Sequence, residues 1–581
     1  MRAENPEGVA GDIAIEWGSD AMAELLSRLD LRYLALVPGS SYRGLHDSLV
    51  NYNGNRDPRL LVCLHEEHAV AIAHGYAKVT GHPMAAALHS NVGLMHASMA
   101  VYNAWCDRVP MLIIGATGPL DAARRRPWID WIHTAADQGA LVRQYVKWDD
   151  QPASVEAALD SLARAYSVTR TAPSAPVYVC LDVSLQEQPL PEPPPIPDVR
   201  RDRSPRAPGP DAEAVRTTLE FLGQARRPLF LLGRASRDER DWDRRVALAE
   251  RYGALVLSDL KNGAVFPTSH PLHPAPPGIF LPAASAALIG AADLILSLDW
   301  TDLAGTLAAA AGHGHPASAR IISCTLDSAL HNGWSKDSFG PAPVDLSVPA
   351  DPDLLVRALL EAAEPAEPAG WPPGDENVAI PATGGGAGIT MHDLAQALRG
   401  ALAGSPSCLV RVPLGWHGAD LHAHHPLDYL GMDGGAGVGS GPGMAVGAAL
   451  ALEDPALGGG RLPVAVLGDG DFLMGGTALW TAAHYRLPLL IVVANNASFH
   501  NDVVHQERMA RERQRPVGNS WIGQALVDPD PDLPAFARSL GFHATGPVRD
   551  RYTLPSMLAV AAAVARSGQC ALVDVRVCPV E

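Results

Sequence analysis

The stretch from Val464 to Asn496 restricts the fold more than any other part of the chain. An apolar run, Val464 to Leu467, leads into Gly468-Asp469-Gly470. A helical pattern follows from Thr477 to His484, and a second apolar run, Leu489 to Ala494, ends on Asn495 and Asn496. Continuous apolar runs bounded by glycine and joined by a helix are the pattern of neighbouring strands in a parallel sheet, buried on both faces. In such a unit Asp469 closes one strand and Asn496 closes the next. Both then stand at the carboxyl edge, where open α/β sheets bind ligands. One carboxylate, one amide oxygen and a nearby backbone carbonyl suit a hard cation whose remaining positions are taken by phosphate oxygens. Gly468 and Gly470 let the backbone approach a phosphate, and the helix after them points its N-terminus at it.

The same pattern recurs along all 581 residues: YLALV, MAAALH, MLIIGAT and PVYVCLDV first, then PLFLLG, ALVLSD, LILSLD and RIISCT, then SCLVRV, PVAVLGDG, PLLIVVANN and ALVDVRV. Two proline-rich, charged stretches, Gln186 to Pro210 and Glu364 to Gly388, read as linkers. They divide the chain into domains at 1–186, 211–363 and 389–581, expected as three doubly wound parallel-sheet α/β domains. A formal net charge of −18 argues against nucleic acid or an anionic membrane as a partner. No apolar run reaches membrane-spanning length, and the N-terminal MRAENPEGVAGD lacks a signal-peptide pattern. The seven cysteines have no metal-ligand spacing and fall mostly in apolar, strand-like contexts. The expectation is a cytoplasmic protein with buried thiols.

The GDG turn with its paired asparagines resembles the cofactor signature of thiamine diphosphate enzymes, in the branch holding acetohydroxyacid synthase, benzoylformate decarboxylase and pyruvate decarboxylase. The resemblance extends over essentially the whole chain and implies pyrimidine-binding, central and diphosphate-binding domains, in that order. It implies Mg²⁺ held by Asp469, Asn496 and the Ser498 carbonyl, with Gly468, Gly470 and Asp471 beside the diphosphate. In the first block, LVCLHEEHAVAIAHGYA resembles the segment carrying the family's activating glutamate. Counted back from Gly75 of GYA, that residue is Glu66, and Glu67 is left to the surface. A carboxyl group there favours the imino tautomer of the aminopyrimidine, whose nitrogen takes the proton from C2 of the thiazolium. Acids at a helix start also have a plain structural use, since they favour the first turn.

Further residues follow from the resemblance. Ser40, after Pro38-Gly39, would reach the substrate, though serine is also a common helix cap. His89 would relay protons. His270, before Pro271, matches a second active-site histidine of some decarboxylases, and Pro271 alone also accounts for a turn. Gly415, Trp416 and His417 resemble the stretch that touches the diphosphate. Ala436 would offer its carbonyl to the 4′-amino group, and Val438 would be the apolar wedge beneath the cofactor. Phe499, His500 and Val503 would line the substrate pocket.

The activity implied is that of a thiamine diphosphate- and Mg²⁺-dependent lyase or carboligase. It would decarboxylate a small 2-oxo acid to an enamine, then protonate that to an aldehyde or join it to an aldehyde or ketone acceptor. An acetolactate-synthase-like enzyme is the alternative. FAD is not expected, because the central block has LLGRASRD after its first strand rather than GxGxxG. A non-catalytic regulatory homologue would have lost Glu66, Asp469 or Asn496, and all three are present. The resemblance also implies a homodimer or homotetramer whose active sites lie between subunits.

Overall fold

The computed structural model describes residues 4–7, 13–201, 204–315, 317–329, 342–363, 370–371 and 388–579. The second expected linker therefore lies, apart from 370–371 and 388, outside the described residues. Three sheets form, and every strand pairing described within them is parallel. The first holds β1 (Tyr33–Leu36), β2 (Arg59–Val62), β3 (Met84–Leu88), β4 (Met111–Thr117), β5 (Asp149–Asp150) and β6 (Pro176–Asp182), in the order β2-β1-β3-β4-β6-β5. The second holds β7 (Pro228–Leu232), β8 (Leu255–Leu257), β9 (Leu294–Leu298), β10 (Arg320–Cys324) and β11 (Leu346–Val348), ordered β11-β10-β9-β7-β8. The third holds β12 (Ser407–Arg411), β13 (Leu462–Gly468), β14 (Leu489–Asn495), β15 (His543–Val548) and β16 (Cys570–Arg576), ordered β12-β13-β14-β16-β15.

The chain forms two compact units. One comprises residues 1–205, 400–410 and 433–576 and carries the first and third sheets; the other comprises 206–399, 411–432 and 577–581 and carries the second. In the second sheet, Phe230 and Leu232 of β7 enter one apolar cluster while Leu229 and Leu231 enter another. Successive side chains of a strand point to opposite faces, so both faces are buried and the strand reads as an unbroken apolar run. All seven residues of β4, β6 and β14 are buried. Five cysteines are buried and Cys106 is half-buried, while Cys578 is exposed. Among the described residues no helix is long and apolar enough to cross a membrane.

The first linker behaves differently from a solvated spacer. Leu190, Ile196 and Val199 pack against the first domain's core, and the Leu190 N–H donates to the Glu16 carbonyl at 2.8 Å. Its scattered apolar residues tie it down.

In the first sheet β2 and β3 lie on opposite sides of β1. The connections leaving β1 and β3 therefore diverge, which opens a crevice at their carboxyl ends. The loop after β1 carries Ser40 and Ser41, and the residue after β3 is His89.

Candidate active site

In the third sheet Gly468 pairs with Ala494, so the ends of β13 and β14 lie side by side. Asp469 is buried there: its Oδ1 accepts the Gly470 N–H at 2.9 Å and its Oδ2 the Ser498 N–H at 3.1 Å. The Asn496 Oδ1 accepts the same Ser498 N–H at 3.1 Å and the Ser498 hydroxyl at 3.2 Å. The fold thus brings together the three residues expected to hold a cation. The neighbouring asparagine has other work. Asn495 donates to Asp574 Oδ1 at 3.0 Å and accepts from Arg576 at 3.1 Å and from the Ala497 N–H at 3.0 Å, which fixes the strand end. Burial raises the Asp469 carboxyl above the usual range, although backbone N–H groups oppose it. A buried carboxylate beside an amide oxygen, bonded only to backbone donors, fits a hard cation: the ion would replace the hydration that burial removes.

Asp471 lies in the same helix, Asp469–Gly475, but does different work. Its Oδ1 accepts the Gly439 N–H at 2.7 Å, pinning the 433–441 loop. The loop is clamped from the other side by Asn103, whose Oδ1 accepts the Gly437 N–H at 3.2 Å and whose Nδ2 donates to Ser440 Oγ at 3.2 Å. Ala436 takes a positive φ of 52°. Val438 is 42% exposed. The Gly470 position is filled by Phe499, whose ring a Cβ would strike. Val503 is buried in the helix His500–Glu512.

Glu66 is the first residue of the helix Glu66–Thr80, whose N-cap is His65 and whose C-cap is Gly81 at φ 68°. Glu66 is 8% exposed, and its Oε2 accepts from His96 Nδ1 at 3.0 Å. Glu67, expected at the surface, is not there. It is half-buried, and its carboxyl is pushed up to about 7, first by burial, then by Asp471 and Asp433. The sequence pattern missed this because the helix turns both acids towards neighbours distant in sequence.

The glycines of GYA and of GPGMAVGAAL have a physical role. The helices Glu66–Thr80 and Gly441–Leu452 cross with their backbones almost in contact. A Cβ on Gly75 would strike the Met444 carbonyl, and one on Gly447 would strike the Ile72 carbonyl. The crossing is reinforced where His68 Nε2 meets Thr477 Oγ1 at 2.7 Å, Thr481 donates to the Val62 carbonyl at 3.0 Å and Tyr485 accepts the Val62 N–H at 2.9 Å. Gly75→Ala is therefore expected to cost about 1–3 kcal/mol, the usual penalty of overpacking. Urea unfolding followed by circular dichroism would show it, and an unchanged midpoint would contradict the close crossing.

His89 caps the helix Ser90–Cys106. Its Nδ1 lies 2.9 Å from Ser41 Oγ, and that oxygen also accepts the Ser90 N–H at 3.1 Å. The His89 ring fills the space a side chain at Gly39 would need, and the His133 ring meets it edge-on at 4.8 Å. Burial and then His133 lower the His89 pKa, while Glu66 acts in the opposite sense. Ser41, not Ser40, makes this contact; Ser40 is half-buried and its carbonyl accepts from Arg43 at 2.9 Å. Sequence reasoning singled out neither Ser41, His96 nor His133. Ser41 and His133 reach the site from separate elements, whereas His96 lies about two turns along the helix that His89 caps, a spacing that could have signalled it.

The remaining expected residues belong to the second unit. His270 Nε2 lies 3.2 Å from Glu250, and its Nδ1 accepts the Leu272 N–H at 3.2 Å. Trp416 is buried; Gly415 precedes it in the turn; His417 Nδ1 accepts the Ala419 N–H at 3.2 Å and caps the turn Gly418–Asp420.

A parallel-sheet edge that gathers oxygen donors is the kind of place where an α/β enzyme holds a phosphorylated cofactor. Family models agree. The thiamine pyrophosphate enzyme N-terminal TPP binding domain matches residues 16–141, the central domain 215–332 and the C-terminal TPP binding domain 414–575. The chain belongs to the thiamine pyrophosphate enzymes. It is 28% identical over 462 residues to benzoylformate decarboxylase of Pseudomonas aeruginosa, covering 76% of this chain and 80% of that protein. It is 24% identical over 563 residues to acetolactate synthase 1, chloroplastic, of Nicotiana tabacum, covering 91% of this chain and 77% of that one. Its fold is similar to that of the thiamine diphosphate-dependent 4-hydroxybenzoylformate decarboxylase of Rhodococcus jostii RHA1, with a TM-score of 0.76, 23% identity, and 97% of this chain and 99% of that chain covered.

Proposed function

We propose that this protein is a thiamine diphosphate- and Mg²⁺-dependent enzyme that decarboxylates a small 2-oxo acid and protonates the product, releasing an aldehyde. The observation that carries this reading is the setting of His89. Ser41 Oγ accepts the Ser90 N–H and lies 2.9 Å from His89 Nδ1, which fixes the orientation of the ring. Burial favours the neutral ring. His89 is thus an oriented imidazole beside the crevice, placed to take up a proton and relay it to the product. When bound, thiamine diphosphate supplies a nucleophilic carbon for the substrate carbonyl and a sink for the electrons of the broken bond. Glu66 presents its carboxyl group to the pyrimidine. Asp469, Asn496 and the Ser498 carbonyl hold the cation, Gly468, Gly470 and Asp471 border the diphosphate, and Val438 presents an apolar face. The likeness to a benzoylformate decarboxylase supports the decarboxylase outcome.

A second reading, carboligation in the manner of an acetolactate synthase, is supported by a match to such a protein over 91% of this chain. Product analysis with a panel of 2-oxo acids, with and without an acceptor aldehyde, separates the two. Aldehyde is expected without acceptor, and His89→Ala is expected to lower its release about 10²–10⁴-fold, the range for a lost general acid. Hydroxy-ketone formed to the exclusion of aldehyde would replace the first reading with the second.

We also propose a homodimer or homotetramer with active sites between chains, as the family resemblance implies. Symmetric pairing of two chains would build two such sites across one two-fold axis. Glu66→Gln and Asp469→Ala chains, each inactive alone, are expected to recover towards about a quarter of wild-type activity after dissociation and random reassociation. No recovery despite verified exchange would assign both residues to one chain.

A further inference from the structure

We infer that His65, Glu67 and His68 form a binding site for a borderline divalent cation such as Zn²⁺ or Co²⁺, distinct from the oxygen-donor edge at Asp469 and Asn496. One ligand atom from each of the three lies within 4.8 Å of the others. Two imidazoles and one carboxylate are a donor set that Zn²⁺ favours, whereas Mg²⁺ favours oxygen alone. The strongest observation concerns His68. It is 2% exposed, its Nε2 meets Thr477 Oγ1 at 2.7 Å, and its buried Nδ1 has no hydrogen-bond partner. Buried polar atoms in proteins are nearly always partnered. With the proton on Nε2 donated to the Thr477 hydroxyl, the unpartnered Nδ1 would carry a lone pair for a metal ion, the way ligating histidines are oriented.

The charge distribution agrees. Burial pushes the His68 pKa down to about 4, keeping the ring neutral as a ligand must be. Glu67 is crowded by the carboxylates of Asp471 and Asp433, and a cation would relieve that repulsion. His65 is the ligand that must adjust: its Nδ1 accepts the Glu67 N–H at 3.2 Å, and metal binding replaces that cap bond. The half-buried His65 and Glu67 leave the cluster open to an entering ion, while His68 closes its inner side. An ion there would join the head of the 66–80 helix to the 477 turn through His68 and Thr477. The nearest competing set is His65, Glu66 and His96, in which the His65 and His96 rings stack at 4.8 Å.

The test uses the full chain, stripped with a chelator, held in excess Mg²⁺ and titrated with Co²⁺, then Zn²⁺. One Co²⁺ per chain is expected, with the visible absorption of tetrahedral cobalt, displaced by Zn²⁺. His68→Ala and Glu67→Gln should abolish it, and Thr477→Val should weaken Co²⁺ binding about 10–100-fold, as loss of an outer-shell partner does. Asp469→Asn should leave it intact, which separates this site from the proposed Mg²⁺ site. Absence of the cobalt spectrum in wild type, or its persistence in both folded His68→Ala and Glu67→Gln, overturns the inference. So does loss in His96→Ala with retention in His68→Ala, which places the ion on Glu66.

Discussion

Glu66→Gln is expected to lower turnover by about 10²–10⁴-fold, the contribution of a positioned acid or base, while thiamine diphosphate stays bound. The amide keeps the size of the carboxyl group and its place at the head of the 66–80 helix. What it loses is the charge that draws a proton towards the pyrimidine nitrogen. The glutamate is well held for such a role. It is buried, its Oε2 is fixed by His96 at 3.0 Å, and Gly93 leaves room for its other oxygen, since an added Cβ would lie 3.0 Å from Oε1. None of these contacts involves the oxygen donors at Asp469 and Asn496, so cofactor affinity by calorimetry should change little. Hydrogen exchange at the cofactor's C2, read by NMR after acid quench, should slow in parallel with turnover. Glu67→Gln is the necessary companion. Glu67 lies beside the 439 loop, where a Cβ on Gly439 would sit 3.5 Å from its Oε1, and its carboxyl is pushed up to about 7. Normal exchange in Glu66→Gln with slow exchange in Glu67→Gln would reassign the role.

What could be read from the sequence was what local pattern encodes. Strands buried on both faces leave unbroken apolar runs, so β4, β6, β13 and β14 were visible, as was their parallel arrangement. Asp469 and Asn496 were visible because each directly follows a strand whose end is set by its neighbour's. The helix after Asp469 begins earlier than its apolar pattern, at the acid itself, because two glycines hide its first turn from any periodicity. Other features depend on contacts far apart in sequence. Ser41 was chosen over Ser40 by the turn after β1, which aims it at His89. Asp471 reads as a diphosphate neighbour, and its carboxylate also bonds the loop at Gly439, a partner that strand and turn signals cannot reveal. The proline-rich segment after Gln186 reads as a linker because its apolar residues are isolated in sequence, though Leu190, Ile196 and Val199 pack against the first domain's core.

Asp469→Ala is expected to abolish retention of thiamine diphosphate and Mg²⁺, with a loss of affinity greater than about 100-fold. Removing only an outer partner of a metal ligand already costs 10–100-fold. The unliganded protein should change much less. The Ser498 N–H would keep its bond to Asn496 Oδ1 at 3.1 Å, leaving the Gly470 N–H as the donor that loses its acceptor, at about 1–3 kcal/mol. Against that stands the relief of a carboxylate whose burial raises its pKa, so the two effects partly cancel. The contrast appears in thermal unfolding with and without cofactor. Wild type at 100 times its dissociation constant should gain about 2.7 kcal/mol, and the variant at the same concentrations should gain almost nothing. A variant that still gained the full stabilisation would show that the cation is held elsewhere. Asn496→Ala should give the same loss of stabilisation, since its amide oxygen lies at the same Ser498 N–H as the carboxylate. Asn495→Ala should instead lower the stability of the unliganded protein, because its side chain holds Asp574, Arg576 and the Ala497 N–H rather than the proposed ion. Two adjacent asparagines with opposite signatures, one seen only with cofactor and the other without it, would separate holding the cation from building the strand end that positions it.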